Sequence, residues 1–212
     1  MILCDIGNSF LHFYYHGKVW KENKDAISEK SPEEIILYIS VNAESTEALL
    51  RSHKRCFDLC NYLSLDTNYQ GLGIDRIAAC KAINDGVIVD AGSAITADIM
   101  HQGIHLGGFI MPGIAQYRAM FSSIAALNQE MNLAVDLNTF PQNTQDAISY
   151  GVLKSITLML QTLSKNKKIY FTGGDGKFLS HLFENSLYDE LLVFKGMQKV
   201  IEKNFTAQGI YL

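Results

Sequence analysis

Two short stretches place an acidic residue, a glycine and a hydroxyl in the same order: Asp5-Ile6-Gly7-Asn8-Ser9 and Asp90-Ala91-Gly92-Ser93. Each follows one apolar run (Ile2–Cys4, Val87–Val89) and precedes another (Phe10–Tyr15, Ala94–Met100). A strand, an Asp-x-Gly turn and a strand are therefore written twice, which is how an internal duplication reads. Glycine in such a turn lets backbone N–H groups come close to an anion, and the nearby carboxylate can hold a metal ion bound to that anion. Two such hairpins facing each other would clamp the phosphates of a nucleotide, as phosphoryl transfer requires. Two further elements share this composition, Gly73-Ile74-Asp75-Arg76 and Thr172-Gly173-Gly174-Asp175. All four fall at strand ends or in loops, where α/β proteins place ligand sites. Taken singly, an Asp-x-Gly is an ordinary turn; the repetition in matched contexts is what carries the reading.

Competing nucleotide motifs fail on their own terms. Gly71-x-Gly73 is no dinucleotide fingerprint, because Arg76 stands where the third glycine belongs and no strand directly precedes it. Gly176-Lys177 resembles the end of a Walker A loop, but Phe178 replaces the hydroxyl residue and Phe171 the first glycine. His101 and His105 flank Gly103 in a turn and do not share a helical face as metal ligands would. No lysine can be assigned to a γ-phosphate from the sequence.

The elements that must position these residues follow from periodicity. Strands are expected over 2–6, 10–15 and 19–20 as a meander, over the continuous apolar run 34–41, and over 62–65. Helical spacing runs from Ser45 to Cys60 and over 77–84. The second copy reads as strands 87–91, 94–100 and 106–111, then a helix from Pro112-Gly113 to about Leu127. Thr144 is expected to cap a long helix reaching Lys165, with Asp146 in its first turn. Ile148, Val152, Ile156, Met159, Leu160 and Leu163 form one apolar face of that helix, and Leu153 and Leu158 point elsewhere. A helix apolar on two sides is buried on two sides, and in 212 residues the second side points to a symmetric dimer. Strand 169–171, helix 178–183, strand 191–194 and helix 197–204 complete an α/β fold.

Composition bounds the function. A hydrophobic content of 48% with 19% charged residues is that of a packed globular protein. A formal charge of −4 argues against a nucleic-acid surface. The four cysteines form no CxxC pair, nothing at the N-terminus resembles a signal peptide, and no apolar run reaches the ~20 residues of a membrane span. A soluble, cytoplasmic protein with reduced thiols is expected.

With these residues in view, the chain resembles the type III pantothenate kinases of the acetate and sugar kinase/Hsp70/actin superfamily. The resemblance runs nearly the whole length, through Asp5-Ile-Gly7-Asn8-Ser9, Gly73-Ile-Asp75-Arg76, Asp90-Ala-Gly92-Ser93-Ala94, Gly107-Gly108-Phe-Ile-Met-Pro112-Gly113, Asn143-Thr144-x-x-Ala147 and Thr172-Gly173-Gly174-Asp175. It implies duplicated ribonuclease H-like (actin-like ATPase) halves with mixed sheets flanked by helices, divided as 1–84 and 85–212. It implies ATP-dependent phosphorylation of pantothenate to 4'-phosphopantothenate, the first step of coenzyme A biosynthesis, with Mg²⁺ and a monovalent cation, K⁺ or NH₄⁺. Asp75 would be the base, with Tyr69, Gly73, Arg76 and Thr144 at pantothenate, Thr144 reaching the partner subunit's site in a homodimer. Asp5, Gly7, Asn8, Ser9, Gly92, Ser93, Gly173 and Gly174 would serve ATP and its phosphates, Asp5 at Mg²⁺ through the phosphates and Asp90 at the monovalent cation. Ser9 and Ser93 stand where the family usually has Thr, and Tyr69 lies closer to Gly73 than is usual.

Three alternatives remain open at this level. Asp75 could merely cap the helix that follows it. The same fold could serve a sugar or acetate-type kinase, although no large sugar-binding insertion is present. It could also be a catalytically silent nucleotide-binding regulator, against which the intact Asp5, Asp75 and Asp90 argue.

Overall fold

The computed structural model describes residues 1–23, 25, 27 and 34–206. They group into two compact units, Met1–Asn84 with Met100–Gly107 and Leu191–Leu212, and Asp85–Ile99 with Gly108–Glu190.

In the first unit, β1 (Ile2–Ile6), β2 (Leu11–Tyr15) and β3 (Lys18–Glu22) form the expected antiparallel meander. β4 (Ile36–Ser40) joins β1 in parallel, and β5 (Cys56–Asp58) joins β4, giving the order β3-β2-β1-β4-β5. β4 is buried at Ile36, Leu37, Tyr38 and Ile39 alike, as a strand covered on both faces must be. Ile2, Cys4, Ile6, Phe13, Ile36 and Leu49 make the core.

The second sheet has the order β11-β10-β7-β8-β9-β6. β7 (Gly86–Ala91), β8 (Ala94–His101) and β9 (Ile104–Pro112) neighbour one another in chain order, and β10 (Ile169–Thr172) and β11 (Ser186–Tyr188) add in parallel. The run β9-β8-β7-β10-β11 repeats β3-β2-β1-β4-β5 strand for strand. The duplication read from two turns is thus a duplication of topology. The core of this unit includes Val87, Val89, Ile95, Ile156, Leu160, Phe171 and Leu179. β6 (Asp66–Thr67) pairs in parallel with the start of β9, Thr67 opposite His105.

Several sequence expectations needed correction. The helical spacing 45–60 holds only for α1 (Ala43–Ser52), which Asn42 caps by accepting the Ser45 N–H. His53 then turns extended, so Phe57 lies on β5 and Cys60 opens a short 3-10 turn, not the expected helix end. That turn also occupies the start of the strand expected at 62–65; the strand that exists is β6. α2 (Ile74–Ala82) starts three residues before the expected helix, which places Asp75 and Arg76 inside its first turn. α3 (Ile114–Ser122) is shorter than expected and is followed by a 3-10 turn at Ala125–Leu127. α5 (Gly176–Ser180) opens directly on the Gly-rich turn. The apolar Leu191–Phe194 is not a strand: Leu192 begins α6 (Leu192–Asn204), whose buried Leu192, Val193, Met197, Val200 and Ile201 recur at helical spacing. An apolar run of four is ambiguous by itself, and the stripe downstream decides it.

The long helix α4 (Thr144–Ser164) is present, one residue out of register at its cap. Asn143, not Thr144, is the N-cap: its side chain accepts the Asp146 N–H at 2.9 Å and donates to the Asp146 carboxylate at 2.7 Å. Hydrogen bonds from Asn132 and Asn143 hold Asp146 below the usual carboxylate range. Such a depressed group adds stability above its unfolded-state pKa and loses it as pH falls through the folded value. Asn143→Ala is therefore expected to cost about 1 kcal/mol at neutral pH and to cost less in acid, measured by chemical denaturation at both pH values. The inward face is Ile148, Val152, Leu153, Ile156 and Leu160, while Met159 is turned outward with Leu158, at 48% and 50% exposure.

Candidate functional site

Within the second unit, the Asp90 turn and the Gly-rich turn meet. Thr172 is the register partner of Asp90 on the neighbouring parallel strand, so the chain leaves β10 beside the end of β7. Gly173 has φ +82, and a Cβ there would overlap the Asp90 carboxylate and sit 2.5 Å from the Ala91 carbonyl oxygen. Only glycine combines that backbone with that closeness. The Asp175 N–H then donates to the Ala91 carbonyl at 2.9 Å, closing the turn onto β7. Gly92 and Gly174, by contrast, face open space: a Cβ on either would meet nothing within 4 Å. The glycines at 92, 173 and 174 thus leave backbone, without their own side chains, beside the Asp90 carboxylate.

Gly113, at the N-cap of α3, supports the same turn. Its N–H donates to the Ser93 carbonyl at 3.2 Å, and a Cβ would overlap the Gly92 carbonyl oxygen. The Pro112-Gly113 element thus acts by close packing under Gly92-Ser93. Sequence reasoning missed Tyr188, whose phenol is pushed up by burial and then by the carboxylates of Glu190, Asp189 and Asp90. Burial likewise pushes Asp175 up.

In the first unit, Asp5 lies half-buried near the end of β1, and the Gly7 N–H donates to the Phe10 carbonyl at 3.0 Å, closing a turn whose Asn8 and Ser9 are exposed. The register runs Asp5, His12, Lys21 across β1, β2 and β3, and Lys21 Nζ sits 4.5 Å from the Phe10 ring centroid. Lys21 is thus a cation at this turn, invisible in the sequence because only strand register brings it there.

The Gly-Ile-Asp-Arg element is the first turn of α2, with Gly73 at its N-cap. Asp75 Oδ1 accepts the Arg76 N–H at 2.8 Å, and a Cβ on Gly73 would lie 2.5 Å from that oxygen. Asp75 is therefore not the N-cap; its half-exposed carboxylate sits in the positive end of the helix dipole, with room because residue 73 has no side chain. Arg76 is buried at 6% exposure. Its guanidinium carbon lies 5.0 Å from the Tyr69 ring centroid and its Nη1 donates to the Tyr69 hydroxyl at 3.4 Å. Tyr69 and Arg76 thus stand together despite the short spacer between Tyr69 and Gly73. Tyr69 also meets His105 edge-on, with centroids 5.9 Å apart. Segment 66–69 and the start of β9 line a cavity of about 350 Å³. His105, dismissed as a metal ligand at the sequence level, is a buried wall of this cavity; its register opposite Thr67 was the missing signal. Thr144 is exposed at the first position of α4, in the second unit.

Oxygen donors and open backbone suit phosphates and hard cations, so the residues fit the groups a kinase would bring. The duplicated topology with carboxylate-glycine turns defines the class, an α/β protein of the actin-like ATPase and sugar kinase fold. Its likeness to a solved Sinorhizobium meliloti chain described as a candidate 2-dehydro-3-deoxygalactonokinase has a TM-score of 0.54 at 8% identity, covering 95% of this chain and 98% of that one. The model of the family named type III pantothenate kinase matches residues 34–166. A type III pantothenate kinase from Helicobacter hepaticus is 57% identical over 204 residues, 96% of this chain and 99% of that one. A Campylobacter jejuni crystal structure, described as a conserved candidate Baf family transcriptional activator, superposes with a TM-score of 0.87 at 50% identity, covering 96% of this chain and 98% of that one. The chain belongs to the type III pantothenate kinase family.

Proposed function

We propose that this protein transfers the γ-phosphoryl group of ATP to the terminal hydroxyl of pantothenate, giving 4'-phosphopantothenate in the first step of coenzyme A biosynthesis. The observation that carries the reading is the first turn of α2. It presents the Asp75 carboxylate beside an Arg76 that is held by Tyr69. Asp75 accepts the hydroxyl proton as the oxygen attacks phosphorus, the bond from γ-phosphorus to the bridging oxygen breaks, and ADP leaves. The transition state is loose, so position and charge neutralisation matter more than base strength, and an ordinary carboxylate is adequate.

Arg76 and Tyr69 hold the polar groups of pantothenate, with Gly73 leaving room for the Asp75 carboxylate. Backbone N–H groups at Gly7, Asn8 and Ser9, and at Gly92 and Ser93, take the phosphates, and Gly173-Gly174 receives the adenosine end. Asp5 would hold Mg²⁺ through the phosphates and Asp90 a monovalent cation, K⁺ or NH₄⁺; bound, these ions neutralise developing negative charge. The protein works in the cytoplasm as a homodimer in which Thr144 completes the partner's pantothenate site. Exposed Leu158 and Met159 on α4, with Phe140 at 83% exposure, support that interface. No described helix is long and apolar enough to cross a membrane.

The test is ADP release with pantothenate, ATP and Mg²⁺ in K⁺ or in Na⁺. Pantothenate-dependent turnover that collapses in Na⁺ is expected. Turnover indifferent to K⁺ keeps the kinase and removes Asp90 from the cation. A second reading, a nucleotide-binding regulator, is favoured by the description of the Campylobacter jejuni structure; ATP binding without turnover in either salt would select it.

A further inference from the structure

We propose that Thr67 is a positioning residue for the pantothenate pocket, acting through His105; this rests on the functional reading above. Thr67 and His105 are register partners on β6 and β9. The Tyr69 N–H donates to Thr67 Oγ1 at 3.0 Å, and the same hydroxyl is hydrogen-bonded to His105 Nδ1 at 2.7 Å, the imidazole tautomer setting which of the two donates. One hydroxyl therefore ties the backbone at Tyr69 to the imidazole that meets the Tyr69 ring, which in turn packs on Arg76.

The logic is that of outer-shell support. β6 is only two residues long, so regular pairing gives the loop before α2 little rigidity of its own. A buried imidazole at 3% exposure needs a fixed partner to hold one ring orientation. Thr67 supplies one such partner, at Nδ1, and simultaneously closes the turn that aims Tyr69. Without the hydroxyl, His105 and Tyr69 lose their common anchor, and the wall that packs on Arg76 loosens. The consequence falls on pantothenate and not on ATP, because neither residue belongs to the phosphate turns.

The experiment compares the full chain with Thr67→Val, Thr67→Ser, His105→Ala and Thr67→Val/His105→Ala. Thr67→Val keeps the shape and removes the hydroxyl. It should raise KM for pantothenate about five- to tenfold, the worth of one such hydrogen bond, with KM for ATP unchanged. Thr67→Ser should restore the native KM, and Thr67→Val should add less than about twofold once His105 is gone. Equal impairment in Thr67→Ser, or multiplying effects in the double variant, overturns the proposal. A ¹⁵N-histidine NMR spectrum of the ligand-free protein separates this from failure of the kinase reading. Thr67→Val should move the His105 imidazole nitrogen resonances and Thr67→Ser leave them in place; unmoved resonances in Thr67→Val overturn the proposal whatever substrate the enzyme turns over.

Discussion

Asp75→Asn is expected to lower kcat about 10²- to 10³-fold, the scale of losing a positioned general base, while KM for pantothenate moves only a few-fold. The substitution isolates chemistry from structure. Asn keeps the Oδ1 that accepts the Arg76 N–H at 2.8 Å, so the first turn of α2 retains its side-chain bond. It also keeps the volume that Gly73 leaves open. What it loses is a negative charge at a helix N-terminus, about 0.3–1 kcal/mol, or a few degrees in Tm for a chain of this size. Steady-state kinetics and a thermal melt on one preparation read both quantities. A fall in kcat with a near-native melt assigns Asp75 to the reaction, and a native kcat removes it. Geometry has already removed the N-cap alternative, because Gly73 occupies the cap and Asp75 lies two residues inside.

Much of this site was legible as composition and little of it as contact. The Asp-x-Gly turns were visible because the duplication prints the same grammar twice. The topology β3-β2-β1-β4-β5, repeated in β9-β8-β7-β10-β11, bears that out. Boundaries suffered where local patterns are degenerate. Phe57 and Cys60 fit a helical period from Leu49, yet His53 has already turned the chain extended. Leu191–Phe194 reads equally as strand or helix until the stripe Met197, Val200, Ile201 is counted with it. Lys21 and Tyr188, which were missed, and His105, which was considered only as a metal ligand, are placed by strand register, within a hairpin for Lys21 and between strands further apart for the other two. Glycines divide in the same way. That a glycine belongs at 92 follows from its motif, whereas the reason for one at 113 or 196 appears only when the opposing backbone is seen.

The largest stability effect is expected at that last position. α6 packs on α2, and at Gly196 the approach is so close that a Cβ would overlap the Ala78 carbonyl oxygen and lie 2.6 Å from its carbon. The obstacle is backbone on a buried helix face formed by Ala78, Ala79 and Cys80, so no rotamer change relieves it. Gly196→Ala must separate the helices, at about 3 kcal/mol, the upper part of the range for overpacking, or roughly 6–12 °C in Tm. Gly151→Ala is the control of opposite sign: it sits within α4, where an added Cβ would meet nothing within 4 Å beyond the helix's own backbone and chain neighbours, and should stabilise by up to about 1 kcal/mol through helix propensity. If both variants melt alike, the close crossing is wrong. The consequence for activity follows from which helix is displaced. α2 carries Asp75 and Arg76 in its first turn, so pushing it from α6 shifts the proposed base as well as the core. Assayed well below its melting transition, Gly196→Ala should lose kcat where Gly151→Ala keeps it, because displacing a reacting group by about 1 Å can cost on the order of 10²-fold.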